Sequence, residues 1–393
     1  MIGLLIAAFI LLDPFDLVPS RGVRRPGSDP DLVREAAHYF EANHRTAEDY
    51  VLDRLESDEV VILGELGQIR QQIEFATALV DRIALSGVHT IAFEHLLAED
   101  QERVDALLDG EGEFDRREAA DLYMRRHVLF GFEEYVDFLE AVHRYNADRP
   151  ADSEPLRVVA LAPRFHFEHI ETQDDIGDLD VMRRVVGDSA PDDFMAEVFR
   201  REVLDAGERA LAVITLPHAF SDFVPPSLVE EMELLGYENP RPFGVIADEM
   251  TDSTVSTVLL HGPWPDEERQ SNLNYAVDGH IDAILDEVPD TMRRAGFDLG
   301  DDPLGNLPVT IGQYARGADS LRLRDLAGGY VTLGPIAAYG STRPIRDFYT
   351  AENIEYARVN FPGPTEDELT PEQLQEFFRG QVEAFDGWID EFQ

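Results

Sequence analysis

Three stretches that read as buried strands end on side chains capable of acid–base or metal chemistry. "VVILGE" ends at Glu65, "VHTIAFEH" reaches Glu94 with His95 beside it, and "RALAVITLPH" ends at His218. Short apolar runs that give way to helical patterns are typical of parallel strands, and ligands of open α/β sheets bind at the carboxyl ends of such strands. Two carboxylates and an imidazole brought to one edge would suit a divalent metal held by Glu65, Glu94 and His218, or a general base that activates water. The plainer account is that the chain has 79 Asp and Glu residues, so that a strand-end glutamate can arise by composition and cap the next helix.

Other groups lie near the same edge. Arg164 closes "LRVVALAPR" and could grip a carboxylate, or simply pair with one of many acidic neighbours. His166 and His169 follow in "RFHFEHIE", within reach of the edge if they do not face solvent. His127 and His143 fall in amphipathic helices, where packing is the expected role. His261 in "LLHGPWP" belongs to a rigid turn anchored by Trp264. No G-x-S-x-G, H-E-x-x-H, G-x-x-x-x-G-K or G-x-G-x-x-G occurs, and the chain has no cysteine. Common serine-hydrolase, zinc-protease and phosphate-loop readings fall away, as do thiolate metal sites.

Bringing these residues together requires strands that run the same way. "VVILGE", "IRQQIEFATALVDRIALSG" and "VHTIAFE" form a βαβ unit whose helix is closed by Gly87. The stretch from Glu99 to Asn146 reads as helical, broken near Gly110 and Gly131. After the third strand come two amphipathic helices between Leu179 and Ala206, the fourth strand, and the helix "SLVEEMELLG". "FGVIAD", "STVSTVLLHG" and "GGYVTLGP" read as further strands. Ahead of the first strand, "DLVREAAHYFEANH" sets Leu32, Ala36, Tyr39 and Phe40 on one helical face, with Asp29 or Asp31 as cap. At the far end Thr370 caps a helix that opens on Pro371. The fold class is α/β: a mainly parallel sheet flanked by helices, with helical insertions and a C-terminal extension. Residues 1–30 read as a signal or anchor segment with a linker, 31–262 as the core, and 263–393 as a C-terminal part packed on the same domain.

The formal net charge is -46, and every basic residue is an arginine. Such a field repels phosphate backbones, so nucleic acid is not an expected partner; a small molecule is. Self-repulsion at this density is relieved by salt, which points to a salt-adapted source. "MIGLLIAAFILL" is too short to span a bilayer, but has the length of an export-signal core without a basic leader. An extracytoplasmic or membrane-associated location follows, or a cytoplasmic one in a salt-adapted organism. The oligomeric state is left open.

In order and spacing, "VVILGE", "IAFEHLLAEDQERVDALLDG", "FGFEEYVDFLEAVHRY", "VVALAPR" and "ALAVITLPHAF" resemble the Tiki/ChaN-like superfamily across Glu59 to Gly236. That group includes ChaN-like haem-binding uptake proteins, Tiki and TraB-type metalloproteases and erythromycin esterase-like hydrolases. The resemblance matches Glu65, Glu94 and His218 to its motif positions. It implies a histidine where this chain has Gly67, another at Gln71, and a glycine at Thr215. With an imidazole missing at Gly67, the resemblance implies a binding protein of little or no turnover. Its ligand would be haem or another planar or metal-containing molecule, with His218, Tyr123, Tyr135 and Arg164 as candidate contacts and a divalent metal as the other cofactor. The alternative is a metal- or His/Glu-dependent hydrolase in which His95, His166 or His169 replaces the missing base. A vestigial site in a structural domain is the third reading.

Overall fold

A computed structural model describes residues 29–251, 254–266, 273–363 and 369–392. The apolar N-terminal stretch therefore lies outside the described residues. Among those described, no helix is long and apolar enough to cross a membrane. The strands, in chain order, are β1 (Arg45–Thr46), β2 (Val60–Glu65), β3 (Thr90–Leu97), β4 (Arg157–Ala162), β5 (Ala210–Thr215), β6 (Val255–Leu260), β7 (Trp264–Pro265), β8 (Leu273–Asn274), β9 (Arg294–Asp298) and β10 (Gly329–Leu333). Eight form one sheet in the order β1-β9-β10-β6-β2-β5-β3-β4, while β7 and β8 pair separately. From β10 to β4 every pairing is parallel; at the opposite edge only β9 is reversed, pairing antiparallel with both β10 and β1.

Alternation along the strands builds a core on each side of the sheet. Val61, Leu63, Ile91, Phe93, Leu211 and Val213 face one set of helices. Val60, Ile62, Ala92, Ala210, Ala212 and Ile214 face the other. Both faces are covered, which is why β2 reads as a continuous apolar run with no polar side. The first cover includes the helices Arg70–Ile83, Arg116–Arg126 and Glu133–Asp148, and the second Pro30–Asn43, Pro191–Phe199 and His280–Glu287. Residues on both sides of position 263 contribute to this sheet, since β9 and β10 follow it.

Several local expectations are corrected. "FGVIAD" is the helix Phe243–Glu249, not a strand. Its Phe243 N–H, one of the donors left over at a helix start, is taken by Asp192 Oδ1 at 2.7 Å, and Gly244 lies so close to the Ala219 and Phe220 carbonyls that any Cβ would stand 2.5 Å from each. A short apolar run has no period long enough to tell helix from strand. The strand before His218 stops at Thr215, and Leu216–Ala219 is a helical turn, because Pro217 has no N–H for the ladder. β9 is a strand the sequence hid: only its three central residues are buried. In the first helix, Val33 and Ala37 join Ala36 and Phe40 in the core, and Asp29 is the cap, accepting the Asp31 N–H.

Chain order sets up the site. β5 inserts between β2 and β3, and the chain then passes to β6 on the far side of β2. The carboxyl ends of β2, β5 and β3 thus flank the point where strand order reverses, where a crevice opens.

Candidate functional site

β2 and β5 run in register to their last residues, so that Glu65 lies beside Thr215. β3 leaves the ladder earlier. Its last partner on β5 is Val213, opposite Phe93, and its pairing with β4 slips between Phe93 and Leu97. Successive residues of a regular strand face opposite ways; this irregularity lets Glu94 and His95 both line one cavity.

The floor of that cavity is a set of interlocked polar pairs. His95 Nε2 contacts Glu65 Oε1 directly. The Tyr135 hydroxyl donates to Glu65, 3.1 Å from Oε1, and also lies 3.0 Å from the Gly67 carbonyl. Glu94 accepts the Thr215 N–H at 2.6 Å on Oε2, with the Thr215 hydroxyl 3.0 Å and 2.9 Å from its two oxygens. His218 Nδ1 donates to Asp192 Oδ1 at 2.7 Å. Behind the floor, Gln72 accepts the Leu66 N–H and donates to the His261 carbonyl, which fixes the turn after β2.

Charge is divided unequally among these groups. Burial opposes a charge on His218, but Asp192 and then Glu94 outweigh it and carry its pKa up to about 9. Burial likewise opposes ionisation of Glu94, and is outweighed by His218, His95 and the Thr215 N–H, so its pKa falls below the usual carboxylate value. At neutral pH the floor therefore holds an imidazolium and a carboxylate. Burial pulls the Arg126 pKa down, with Glu94 opposing. His127 next to it is pushed to about 3 by burial and by Arg126, and is neutral.

The cavity encloses about 350 Å³, and its walls are mostly apolar, with Phe130, Phe165, Met195, Tyr314, Phe385 and Trp388 among them. His95 stacks on Phe130, ring centroids 4.8 Å apart and planes 12° from parallel.

Of the residues singled out from sequence, Glu65, Glu94, His95 and His218 line this cavity. Arg164 and His166 do not: Arg164 pairs with Glu99 at 2.8 Å, and His166 pairs with Glu168 at 3.0 Å, near His169. A Cβ at Gly67 would stand 3.6 Å from His95 Cε1 and 3.7 Å from the Tyr135 hydroxyl, so His95 occupies the ground that a side chain at 67 would enter. Sequence reasoning missed Arg126 and Asp192, and took Tyr135 for a ligand contact where its hydroxyl is committed to Glu65. Arg126 ends a helix and Asp192 sits in the first turn of one; neither carries a local signal of its partners.

Neither a metal nor haem fits these side chains as they stand. Among the described residues, no three His, Asp or Glu side chains gather as metal ligands. An axial haem ligand needs an accessible lone pair. Protonated His218 has none, and His95, with Nε2 committed to Glu65, keeps only Nδ1, on a ring stacked face to face with Phe130. His127 Nδ1 accepts the Leu129 N–H, which leaves the proton on Nε2. Tyr123 is buried with its hydroxyl donated to the Tyr135 carbonyl, and Tyr135 serves Glu65.

The fold and floor define an α/β protein with a ligand-sized crevice at a sheet switch point. No protein-family model matches the sequence, and no curated protein matches it. Among solved structures, a Bacillus cereus protein aligns at 11% identity over 80% of this chain and 99% of its own, with a TM-score of 0.52, a likeness of fold. A succinoglycan biosynthesis protein aligns at 10% identity over 61% of this chain and 77% of its own, TM-score 0.43. ChaN of Campylobacter jejuni, solved with cofacial haem, aligns at 11% identity over 54% and 85%, TM-score 0.32.

Proposed function

We propose that this chain is a hydrolase that cleaves an ester-type bond in a small, largely apolar organic molecule by general acid–base catalysis. The observation that supports this reading is the opposed protonation of His218 and Glu94 beside a carboxylate-backed imidazole, all on the floor of one apolar cavity. Titratable groups driven apart by their surroundings are how one site supplies both acid and base at neutral pH.

Glu65 orients His95 through Nε2, so Nδ1 is the nitrogen that takes a proton from water. The water oxygen bonds to the carbonyl carbon, and the charge that develops on the carbonyl oxygen faces Arg126 and the His218 imidazolium. On collapse the carbon–oxygen bond to the leaving group breaks, and His218 donates its proton to that oxygen. Asp192 holds the His218 ring through Nδ1. The ionised Glu94 keeps His218 charged. The products are an acid and an alcohol, and solvent returns the proton from His95 to His218.

A binder of haem or another planar ligand, without turnover, is the competing reading. The aromatic wall and the resemblance in motif order favour it; the commitment of His218 to Asp192 and of His127 Nδ1 to the Leu129 N–H counts against it. The deciding experiment follows 4-nitrophenolate release from 4-nitrophenyl octanoate at high salt. Saturable turnover that falls by about 10²-fold or more in His95→Ala is expected. Turnover by the wild type no faster than by His95→Ala would overturn the hydrolase.

A further inference from the structure

The cavity lining carries a carboxyl group whose oxygens have no hydrogen-bond partner. Glu231, on the helix Pro226–Leu234, lines the cavity and is 3% exposed, and neither of its oxygens accepts a hydrogen bond. A buried carboxyl is normally satisfied by a donor, and one left unpaired is destabilising. The charged groups that act on it are Arg316 and Glu230; those of the floor do not figure among them. Arg316 in turn reaches toward Glu230, at 3.5 Å. Arg126 and His127 also line the cavity, and their Nε and Nε2 are buried N–H donors without acceptors. The lining thus holds unmet donors near Glu94 and an unmet acceptor on the helix Pro226–Leu234, among mostly apolar side chains.

We propose that Glu231 is a specificity residue that receives a protonated amine of the substrate, joined by an apolar body to the carbonyl group that meets Arg126 and His218. An ammonium supplies the donors both Glu231 oxygens lack and pairs its charge with the carboxylate. A hydroxyl would satisfy one oxygen and form no ion pair. The inference rests on the hydrolase reading for the fate of the carbonyl end only; amine capture stands by itself.

Burial, which Arg316 only partly relieves and Glu230 reinforces, raises the Glu231 pKa to about 8. At pH 7 the empty site is mostly protonated, so an ammonium that ionises Glu231 expels a proton into the buffer. At pH 9.5 that release disappears.

Calorimetry with octylamine and 1-octanol as probes tests this at high salt, in two buffers of different ionisation enthalpy at pH 7. Octylamine is expected to bind at least about tenfold more tightly than 1-octanol, with release of close to one proton, and Glu231→Gln should abolish both preference and release. Equal binding of the two probes, or a preference that survives in Glu231→Gln, would overturn the proposal. Should Glu231→Gln not fold, Glu231→Asp replaces it: a carboxyl one methylene shorter is expected to keep the proton release and weaken octylamine binding, and unchanged affinity would count against the assignment. A companion assay compares 4-nitrophenyl 8-aminooctanoate with 4-nitrophenyl octanoate. Hydrolysis of both without preference would leave the hydrolase standing and remove the amine site; amine binding without hydrolysis of either would do the reverse.

Discussion

Glu94 completes a rung that β3 itself does not make. The β3–β5 ladder ends at Phe93 and Val213, and the Thr215 N–H further along donates to the Glu94 side chain at 2.6 Å instead of to a backbone carbonyl. One carboxylate thereby ends the sheet, holds the mouth of β5, and carries the negative charge of the floor. Glu94→Ala leaves the Thr215 N–H and hydroxyl without their acceptor and should cost about 2–4 kcal/mol of stability by chemical denaturation. Glu94→Gln keeps an acceptor and should cost less, while still removing the charge that supports His218. Equal loss in both variants would show that charge, not the rung, matters to the fold.

The His218–Asp192 pair makes a signed prediction. The folded pKa of His218, about 9, lies above its ordinary 6.5, so the folded state keeps a proton that the unfolded chain releases between those values. The stabilisation is whole below pH 6.5 and is lost as pH rises through 9; at most it is worth about 3 kcal/mol. Asp192→Asn preserves an acceptor for the Phe243 N–H but removes the charge. The His218 titration, followed by NMR of labelled imidazole, should move down by about 1–3 units. If His218 is the acid, the alkaline limb of kcat moves with it. A titration unmoved by Asp192→Asn would refute the pairing as the cause.

Gly67 and His95 give a paired test. Because a Cβ at 67 would sit against His95 Cε1, an imidazole there competes with His95 rather than adding to it. Gly67→His alone should therefore lower ester turnover or leave it unchanged. In a His95→Ala background the same substitution enters vacated space and should restore part of what His95→Ala lost, by about tenfold or more. Rescue would mean that the two positions are alternative seats for one base; failure to rescue, with the double variant folded, would confine that role to His95.

Much of this architecture was open to reading because its signals are local. Val60 to Leu63 and Thr90 to Phe93 are buried on both faces, so their apolar runs announce parallel strands, and chain order alone brings Glu65 and Glu94 to one edge. Caps were equally plain: Asp29 and Thr370 each bond to the N–H groups their types are suited to. What escaped was whatever depends on contact across the fold. "FGVIAD" is helical because the Ala219–Phe220 turn needs a glycine against it and Asp192 meets its first N–H, facts invisible in six residues. Arg164 and Arg126 are both arginines near the edge; only packing sends one to Glu99 and leaves the other in the cavity. That His95 would join Glu65 depended on a strand irregularity that no residue type in "AFEHLL" encodes.

Haem separates the two functional readings without reference to turnover. Since His218 is protonated, His127 is turned to the wrong tautomer and the His95 ring is covered on one face by Phe130 and held by Glu65, a titration at pH 7 and high salt should give no saturable Soret shift beyond that of free haem. A stoichiometric shift abolished by His218→Ala would overturn that expectation, and would require the Asp192 pairing to open on binding.

The excess of acidic groups should make stability depend on salt in a manner set by pH. With 79 carboxylates against 33 arginines, ion pairs leave most of the acidic charge unbalanced even where one arginine serves several partners, as Arg116 does for Glu133, Asp137 and Glu140. Folding concentrates like charges that the unfolded chain holds farther apart, and salt shortens their reach from about 10 Å at 0.1 M to about 3 Å at 1 M. The Tm at pH 7.5 should therefore climb with KCl, most steeply at low concentrations where screening changes fastest. Near pH 4.3, the sequence pI, the charge is largely neutralised and the same additions should do little. Equal salt responses at the two pH values would assign the effect to water structure and apolar burial rather than to repulsion.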